Sequence, residues 1–275
     1  MKKSLSSEAP PPPCGQRQKS EWDIVGKPFL KWVGGKRQLI PEIVKYMPEA
    51  YGHYFEPFIG GGALFFDQKP SCSTLSDVNE ELVNAYWQVQ TNPDGLIACL
   101  QQHRYDKDYY YEIRNLDRDA SHFAALDETA RAARLLYLNR AGFNGMYRVN
   151  SKGQFNVPFG RYRDPNIVNA DAIRQAHEIL QGVTIKTAPF DHVLNTARAG
   201  DFVYFDPPYL PLSQTSHFTK YAKDDFDFND QKRLAKTCHI LHERQVHFVL
   251  SNSYCLLYTS PSPRDYAASR MPSSA

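Results

Sequence analysis

A carboxylate and two prolines directly follow an apolar run in the segment YFDPPYL, residues 204–210. In open α/β sheets, ligands bind beyond the carboxyl ends of the strands, and Asp206 is expected at such an end. Pro207 and Pro208 restrict φ and remove donors, so the loop should hold its carbonyl groups in fixed directions. Asp206 and the Pro207 carbonyl could then accept hydrogen bonds from one exocyclic amine, while Tyr209 offers a ring for stacking a planar base. Taken alone, the segment is also compatible with a chance turn at a strand end.

Upstream, a glycine turn and an acid have the spacing of a nucleotide site. In FEPFIGGGALFF, Gly60 to Gly62 lie between a predicted strand and a predicted helix, where exposed amides favour a nucleotide-like ligand. Asp77 follows Gly60 at close to the ~20 residues at which such folds place an acid for ribose hydroxyls. The glycines alone would fit a plain structural turn equally well, whereas the paired acid favours an adenosine-containing cofactor.

Two features of this turn argue against a nicotinamide dinucleotide. Its GxGxxG fingerprint would need a third glycine where Phe65 stands. Glu56 would also lie unfavourably beside a pyrophosphate, but it could face the positively charged methionine part of S-adenosylmethionine. Further upstream, FLKWVGGKRQL offers Trp32 as an aromatic face and Lys36 as a donor, although core packing and a surface charge would explain these two residues taken alone.

The order of predicted elements indicates a mostly parallel sheet with helices on both faces. Apolar runs ending at turn residues predict strands at residues 54–55, 73–76, 183–187, 202–205 and 248–250. Helices are expected to begin at Ala63, to span residues 171–181 with Gly182 beyond the end, and to span residues 230–243.

The middle of the chain interrupts this alternation. Residues 86–138 are predicted to be mainly helical, and the tyrosine-rich stretch 105–111 is expected to pack inside that helical unit. Residues 139–163 carry turn residues and five basic side chains with no acidic one among them: Arg140, Arg148, Lys152, Arg161 and Arg163. An inserted second domain is the economical interpretation, although a solvated loop would carry the same charges.

Composition limits the class of protein. The 275 residues are 42% hydrophobic, which suffices for a sizeable core, and the net charge of +2 does not by itself indicate a nucleic-acid partner. No run approaches ~20 apolar residues and no secretory signal is present, so a cytoplasmic protein that does not bind membranes is expected. The five cysteines lack CxxC spacing, which predicts buried free thiols rather than a zinc or other metal site.

From about Phe29 to Ser253, the chain resembles the Dam-type DNA adenine-N6 methyltransferases. The motifs that carry the resemblance are FLKWVGGKRQL, FEPFIGGGALFF, LSDVNEEL, LYLNRAGFNGMYRVNSKGQFNVPFGRY and FDPPYLPLSQTSHFTKY. Several separated motifs in the right order are far more specific than DPPY alone.

The resemblance implies a Rossmann-like, S-adenosylmethionine-dependent α/β fold at residues 24–85 and 165–254. An inserted, mainly helical target-recognition domain with a β-hairpin is expected at residues 86–164. The implied cofactor contacts are Trp32, Lys36, Asp77 and Asp206, with Glu56, Pro57, Phe58, Gly60 and Gly62 framing the methionine part. The implied catalytic residues are Asp206, Pro207, Pro208 and Tyr209, acting by direct methyl transfer to adenine N6 without a metal. Because the target atom lies inside the duplex, the base would be flipped out and stacked on Tyr209.

For the hairpin, the resemblance implies entry into the major groove of double-stranded DNA at GATC sites. Arg148 is the expected contact to guanine, a contact worth ~1–3 kcal/mol of discrimination. Asn144, Met146 and Pro158 are carried over as neighbouring base contacts. The other basic residues are expected to touch phosphates, which positions the duplex without reading it: Arg140, Lys152, Arg161 and Arg163. A monomer is expected.

The two ends of the chain are expected to lie outside this fold. Residues 1–23 are rich in proline, serine and lysine and are predicted to be a disordered extension. Residues 255–275 are unlike the family's continuation and are expected to be an unrelated or disordered tail on a truncated enzyme. Two alternatives therefore stay open, namely a catalytically impaired DNA-binding remnant and an amino-methyltransferase acting on RNA or protein. The protein-glutamine enzymes characteristically carry asparagine where Asp206 stands.

Overall fold

The computed structural model describes residues 26–208 and 226–251, which form a five-stranded parallel sheet covered by helices. The strands are β1 (Tyr54–Glu56), β2 (Ser73–Asp77), β3 (Thr184–Thr187), β4 (Phe202–Phe205) and β5 (His247–Leu250). They lie in the order β3-β2-β1-β4-β5, and every neighbouring pair is parallel. The order reverses between β1 and β4, which makes this the switch point where open α/β sheets bind ligands. The predicted strands and the parallel sheet are therefore confirmed.

Side-chain caps and glycine set the ends of the helices. The helices of the described residues are α1 (Ile40–Val44), α2 (Ala63–Gln68), α3 (Glu80–Thr91), α4 (Pro93–Gln101), α5 (Lys107–Asn115), α6 (Ala120–Ala124), α7 (Glu128–Ala141), α8 (Ala170–Leu180) and α9 (Phe228–Glu243). Asn79, Asp127 and Asp227 each accept a hydrogen bond from a first-turn N–H, which satisfies a donor that the helix leaves unpaired. Gly182 has a φ of 75° shortly after α8, as predicted for a residue beyond a helix end.

Alternating side chains of the central strands face two separate hydrophobic clusters. Tyr54 and Phe202 pack with residues of α2, α3, α7 and α8 on one side of the sheet. Phe55, Val203 and Phe205 pack with residues of α9 on the other side. Successive strand residues point to opposite faces, so strands this apolar must be covered on both. The prediction of helices on both faces is confirmed.

The inserted unit, helices α4 to α7, shares one hydrophobic cluster with the sheet. Helix α7 packs against α3 and α4, and the tyrosines at positions 105, 109, 110 and 111 pack into the cluster, as predicted. The predicted start of the insert at residue 86 falls inside α3, and the second half of that helix still covers the sheet. Trp87 Nε1, for example, donates a hydrogen bond to the Ile185 carbonyl in β3 at 3.1 Å. Helix α3 therefore continues across the predicted start of the insert.

The cysteines differ in state. Cys238 is a buried free thiol, Cys99 is free and partly exposed, and Cys72 is disulfide-bonded. The prediction of buried free thiols therefore holds for Cys238, holds for Cys99 only in that its thiol is free, and is wrong for Cys72.

Three predictions concern residues outside the described ranges: the extension at 1–23, the tail at 255–275 and the stacking role of Tyr209. Within residues 26–208 and 226–251, no helix has the length and apolar character needed to cross a membrane.

Candidate active site

Three carboxylates meet at the carboxyl edge of the sheet, around the switch point. Glu56 ends β1, Asp77 ends β2 and Asp206 directly follows β4. The side chain of Asp206 is 19% exposed, and its Oδ1 accepts a hydrogen bond from Lys36 Nζ at 2.8 Å. Burial raises the pKa of Asp206, and the Lys36 charge and hydrogen bond oppose that rise. Lys36 comes from the segment before α1, so an ion pair joins that segment to the end of β4 at this edge of the sheet.

The two prolines after Asp206 differ in environment. Pro207 is buried and Pro208 is exposed, and Tyr209 lies outside the described residues. The backbone of the motif thus leaves β4 with Pro207 against the protein and Asp206 at the edge of the crevice.

The glycine turn between β1 and α2 lies against an aromatic ring. Gly60 and Gly62 have φ values of 44° and 65°, a left-handed conformation that glycine adopts without a steric penalty. A Cβ on Gly60 would lie 2.7 Å from Cδ1 of Trp32, so a side chain there would collide with the indole. The Tyr86 hydroxyl donates to the Gly60 carbonyl at 3.1 Å. The turn and the half-buried Trp32 therefore form one wall of the crevice.

Asp77 is bound to the glycine turn and to the start of α3. Its Oδ2 accepts from the Gly60 N–H at 3.3 Å, and its Oδ1 accepts from the Asn79 N–H at 3.0 Å. Burial raises the pKa of Asp77, whereas these backbone donors lower it. The carboxylate is thus held in a fixed position beside the turn, and its contact with ribose hydroxyls stays a prediction.

Glu56 is the most deeply buried of the three acids, with 2% exposure. The Tyr54 hydroxyl donates to Glu56 Oε2 at 2.6 Å. Burial raises the pKa of Glu56 to about 8, the charge of Asp206 adds to the rise, and the hydrogen bond from Tyr54 opposes it. The site therefore carries a buried carboxyl that an incoming cation would ionise.

Pro57 and Phe58, which follow Glu56, pack against neighbouring residues of the protein. Pro57 is buried, and the ring of Phe58 stacks on Phe190 with centroids 5.4 Å apart. Phe58 also packs against the cluster on the α9 side of the sheet. These residues support the position of Glu56 by packing.

The predicted hairpin is present as short antiparallel pairing after α7. Gly142 pairs with Phe159 and Val149 with Phe155 in antiparallel bridges. Arg148 is exposed, and its Nε donates to Asn156 Oδ1 at 2.7 Å across the hairpin. The guanidinium is therefore held by the opposite strand while it faces solvent.

The other predicted base contacts flank Arg148 on the same loop. Asn144 is exposed in a left-handed conformation, Met146 is half-buried, and Pro158 is exposed. The Pro158 carbonyl accepts from the Phe143 N–H at 2.9 Å. Phe143 is itself 47% exposed on this loop.

The predicted phosphate contacts are not equivalent. Lys152, Arg161 and Arg163 are exposed. Arg140 instead turns inward, where its Nη2 donates to the Phe29 carbonyl at 2.6 Å and burial lowers its pKa. Arg140 therefore makes a structural contact with the backbone, and its predicted phosphate contact is not tested by this geometry.

Sequence reasoning missed several residues of this region. Tyr54 carried a usable signal, since residues two apart on a strand share a face and Tyr54 is two before Glu56. Asn139, Tyr147 and Asn156 carried none, because their contacts depend on the tertiary structure. Among the residues that the structure describes, no group of acidic, histidine or cysteine side chains could hold a metal ion.

A parallel sheet of this order, with a glycine turn and three carboxylates at its switch point, defines a Rossmann-like methyltransferase fold. The chain belongs to the D12 class N6 adenine-specific DNA methyltransferases, whose family model matches residues 32–269. Membership makes it an adenine-specific DNA-methylating enzyme and implies a DNA substrate and S-adenosylmethionine as cofactor.

Individual relatives agree with this family. The chain is 49% identical over 231 residues to the type II methyltransferase M1.LlaDCHI of Lactococcus lactis subsp. cremoris, with 82% of this chain and 81% of the relative covered. It is 41% identical over 246 residues to the type II methyltransferase M.MjaIII of Methanocaldococcus jannaschii, covering 83% and 84%. It is 37% identical over 232 residues to the DNA adenine methylase of Haemophilus influenzae, covering 82% and 79%.

Proposed function

We propose that this protein transfers a methyl group from S-adenosylmethionine to adenine N6 in double-stranded GATC sites, by base flipping and direct transfer. The observation that carries the proposal is the position of Asp206 at the carboxyl end of β4, across the switch point from Glu56 and the glycine turn. Asp206 can accept a hydrogen bond from an amine, and Glu56 lies where a cationic methyl donor would be attracted. These are the two partners that the reaction must bring together.

The cofactor would be held by residues from all three sides of the crevice. Trp32 offers a ring face for a planar base, Asp77 offers a fixed carboxylate for ribose hydroxyls, and Glu56 offers negative charge for the sulfonium end. When bound, the cofactor supplies an electrophilic methyl group. The donor set fits this molecule because its cationic end would meet a buried acid and its adenosine end would meet a glycine turn.

Asp206 would act on the target amine. The N6 lone pair of adenine is delocalised into the ring, so two acceptors that fix the amine hydrogens favour a tetrahedral nitrogen with an exposed lone pair. Asp206 supplies one acceptor and the Pro207 carbonyl supplies the other. Lys36 Nζ donates to Asp206 Oδ1 in the free protein, and the carboxylate keeps further acceptor positions for the incoming amine. Tyr209 stays the predicted stacking partner of the flipped base.

The hairpin is the proposed reader of the DNA sequence. Arg148 faces solvent with its orientation fixed by Asn156, which suits bidentate contact to guanine. Asn144, Met146 and Pro158 are proposed as its neighbouring base contacts. Phe143 is proposed as an apolar wedge, because inserted apolar side chains unstack base steps and thereby help a base to leave the duplex.

The exposed basic residues would place the duplex on this surface. Lys152, Arg161 and Arg163 are proposed as phosphate contacts that give affinity without sequence information. The proposed target-recognition unit consists of α4 to α7 and the hairpin. We further propose that the protein acts as a monomer in the cytoplasm, and light scattering of the free protein and of its DNA complex would test the monomer.

A methyl-transfer assay tests the proposal. The full chain is incubated with tritiated S-adenosylmethionine and matched duplexes that contain GATC or a scrambled site. Label on the GATC duplex alone, lost in Asp206→Ala, is expected, and digestion with endonucleases that distinguish methylated from unmethylated GATC would locate it. Equal labelling of both duplexes would refute GATC specificity. DNA binding without label would favour the alternative of a catalytically impaired DNA-binding protein.

A further inference from the structure

Tyr147 lies between two proposed base contacts and points away from the DNA-facing surface. Its ring stacks on Trp32, with centroids 5.1 Å apart and an angle of 21° between the ring planes. Burial raises the pKa of the Tyr147 hydroxyl, and the nearby side chain of Asn79, the residue whose N–H binds Asp77, opposes that rise. One residue of the hairpin therefore contacts two parts of the crevice wall.

The segment that carries Trp32 is fixed to α7 by a buried amide. Asn139 Oδ1 accepts from the Lys31 N–H at 3.0 Å, and its Nδ2 donates to the Lys31 carbonyl at 2.8 Å. The same Nδ2 also donates to the Gly145 carbonyl at 2.7 Å. Asn139 is 3% exposed, so its side chain binds the cofactor-side segment and the recognition loop where water hardly competes.

Close backbone packing reinforces this connection. Gly145 has a φ of 63°, and a Cβ there would lie 2.6 Å from Cδ and 3.0 Å from Cβ of Lys31. On the other side, Trp32 lies against the Gly60 turn, as described above. The recognition loop, Trp32 and the glycine turn are therefore in continuous contact, and a displacement of one must be accommodated by the next.

We propose that Tyr147 is a positioning residue that couples reading of the DNA sequence by the hairpin to cofactor binding at Trp32. The proposal rests on the function proposed above. When Arg148 engages a base pair, the adjacent Tyr147 ring is held against Trp32, which is then fixed in the orientation that receives the cofactor. Since coupling between two sites is reciprocal, bound cofactor must favour cognate DNA by the same factor.

A binding cycle measures this coupling without catalysis. The affinity of the full chain for S-adenosylhomocysteine is measured by calorimetry under three conditions. These are the protein without DNA, the protein with the GATC duplex and the protein with the scrambled duplex. Allosteric coupling in proteins is typically about 5–150-fold, and we expect an increase in this range with the GATC duplex and less than about 2-fold with the scrambled duplex. Tyr147→Ala should reduce the increase to less than about 2-fold while the protein still binds each ligand separately.

Matched variants separate coupling from stability. Tyr147→Phe keeps the ring, so the increase in S-adenosylhomocysteine affinity with the GATC duplex should stay within about 2-fold of the wild-type increase. Tyr147→Leu keeps apolar volume without a ring and should behave like the alanine variant, which covers the case in which Tyr147→Ala does not fold. Tyr111→Ala removes a partly buried ring that contacts Arg114 in the same insert, and it should leave the coupling unchanged.

The outcomes distinguish this inference from the proposed function. A wild-type protein that binds neither cofactor nor DNA would refute the proposed function. A wild-type protein that binds both without coupling, or a Tyr147→Ala variant with wild-type coupling, would overturn the inference alone. Equal loss of coupling in Tyr147→Phe and Tyr147→Ala would also overturn it, because the ring contact would not be the route.

Discussion

The buried acid Glu56 makes cofactor binding sensitive to pH in a way that depends on the charge of the ligand. Burial raises the pKa of Glu56 to about 8, so the free protein holds a proton there at neutral pH. A sulfonium cation favours the carboxylate and must displace that proton. S-Adenosylmethionine should therefore bind more tightly as the pH rises towards and beyond 8, whereas the uncharged thioether of S-adenosylhomocysteine should not gain in this way.

The size of the effect follows from the pKa of Glu56. With a pKa of about 8, ~1% of Glu56 is ionised at pH 6, because each pH unit below the pKa changes the ionised fraction by a factor of ~10. If binding of the cation requires the carboxylate, its affinity relative to the thioether should fall by up to ~100-fold between pH 9 and pH 6. The ratio of the two affinities cancels titration of the amino and carboxyl groups that both ligands share.

Calorimetry at half-unit steps from pH 6 to pH 9 gives this ratio for wild type and three variants. Glu56→Gln should make the ratio independent of pH. Tyr54→Phe removes a hydrogen bond that lowers the pKa of Glu56, so the midpoint should move to higher pH. Asp206→Asn removes a charge that raises this pKa, so the midpoint should move to lower pH. A ratio that is the same at pH 6 and pH 9 in wild type, or a full pH dependence in Glu56→Gln, would refute the reasoning.

Three further predictions address catalysis, DNA recognition and the core. Lys36→Met removes a charge that lowers the pKa of Asp206 in the free protein, so the acid limb of the kcat/KM profile should move to higher pH, and an unmoved limb would contradict the role of the ion pair. Arg148→Ala should cost ~1–3 kcal/mol of discrimination between GATC and a duplex altered at guanine, measured by competition binding. Lys152→Ala should instead weaken binding of both duplexes alike and reduce the salt dependence of binding. The reverse pattern would assign the guanine contact to Lys152 and the phosphate contact to Arg148. Leu234 is fully buried on α9, so Leu234→Ala should lower the free energy of unfolding by ~2–5 kcal/mol in chemical denaturation. Lys236→Ala, at an exposed position of the same helix, should have no measurable effect. Equal losses of stability in the two variants would contradict the packing.

The sheet was predictable from sequence because its signals are local. Short runs of two to five residues, bounded by turn residues or an acid, marked the strands. The glycine turn and Asp77 were also predictable, because nucleotide sites place both at a nearly fixed interval. The end of the helix before Gly182 followed from the same kind of local chemistry.

The contacts that complete the site were not predictable in this way. The pair between Lys36 and Asp206 joins residues far apart in sequence, and each residue alone has an ordinary surface explanation. The inward orientation of Arg140 also depends on a distant backbone carbonyl, so a run of basic residues suggested phosphate contacts for all of them. The continuation of α3 past residue 86 was not predictable either, because the helix runs through a change in composition.

The shared core of sheet and insert explains why recognition and catalysis should not be separable in this protein. A target-recognition domain on a linker could move as a rigid body, and its contacts with the sheet would then be few and polar. Here α7 lies in the same hydrophobic cluster as β1 and β4, and it carries Asn139, which binds both the recognition loop and the segment before Trp32. Packed interiors transmit displacement because they have little free volume. Small movements of the hairpin must therefore be accommodated at Trp32 and the glycine turn, and under the proposed function this would place the specificity of the enzyme partly in residues that touch neither DNA nor cofactor.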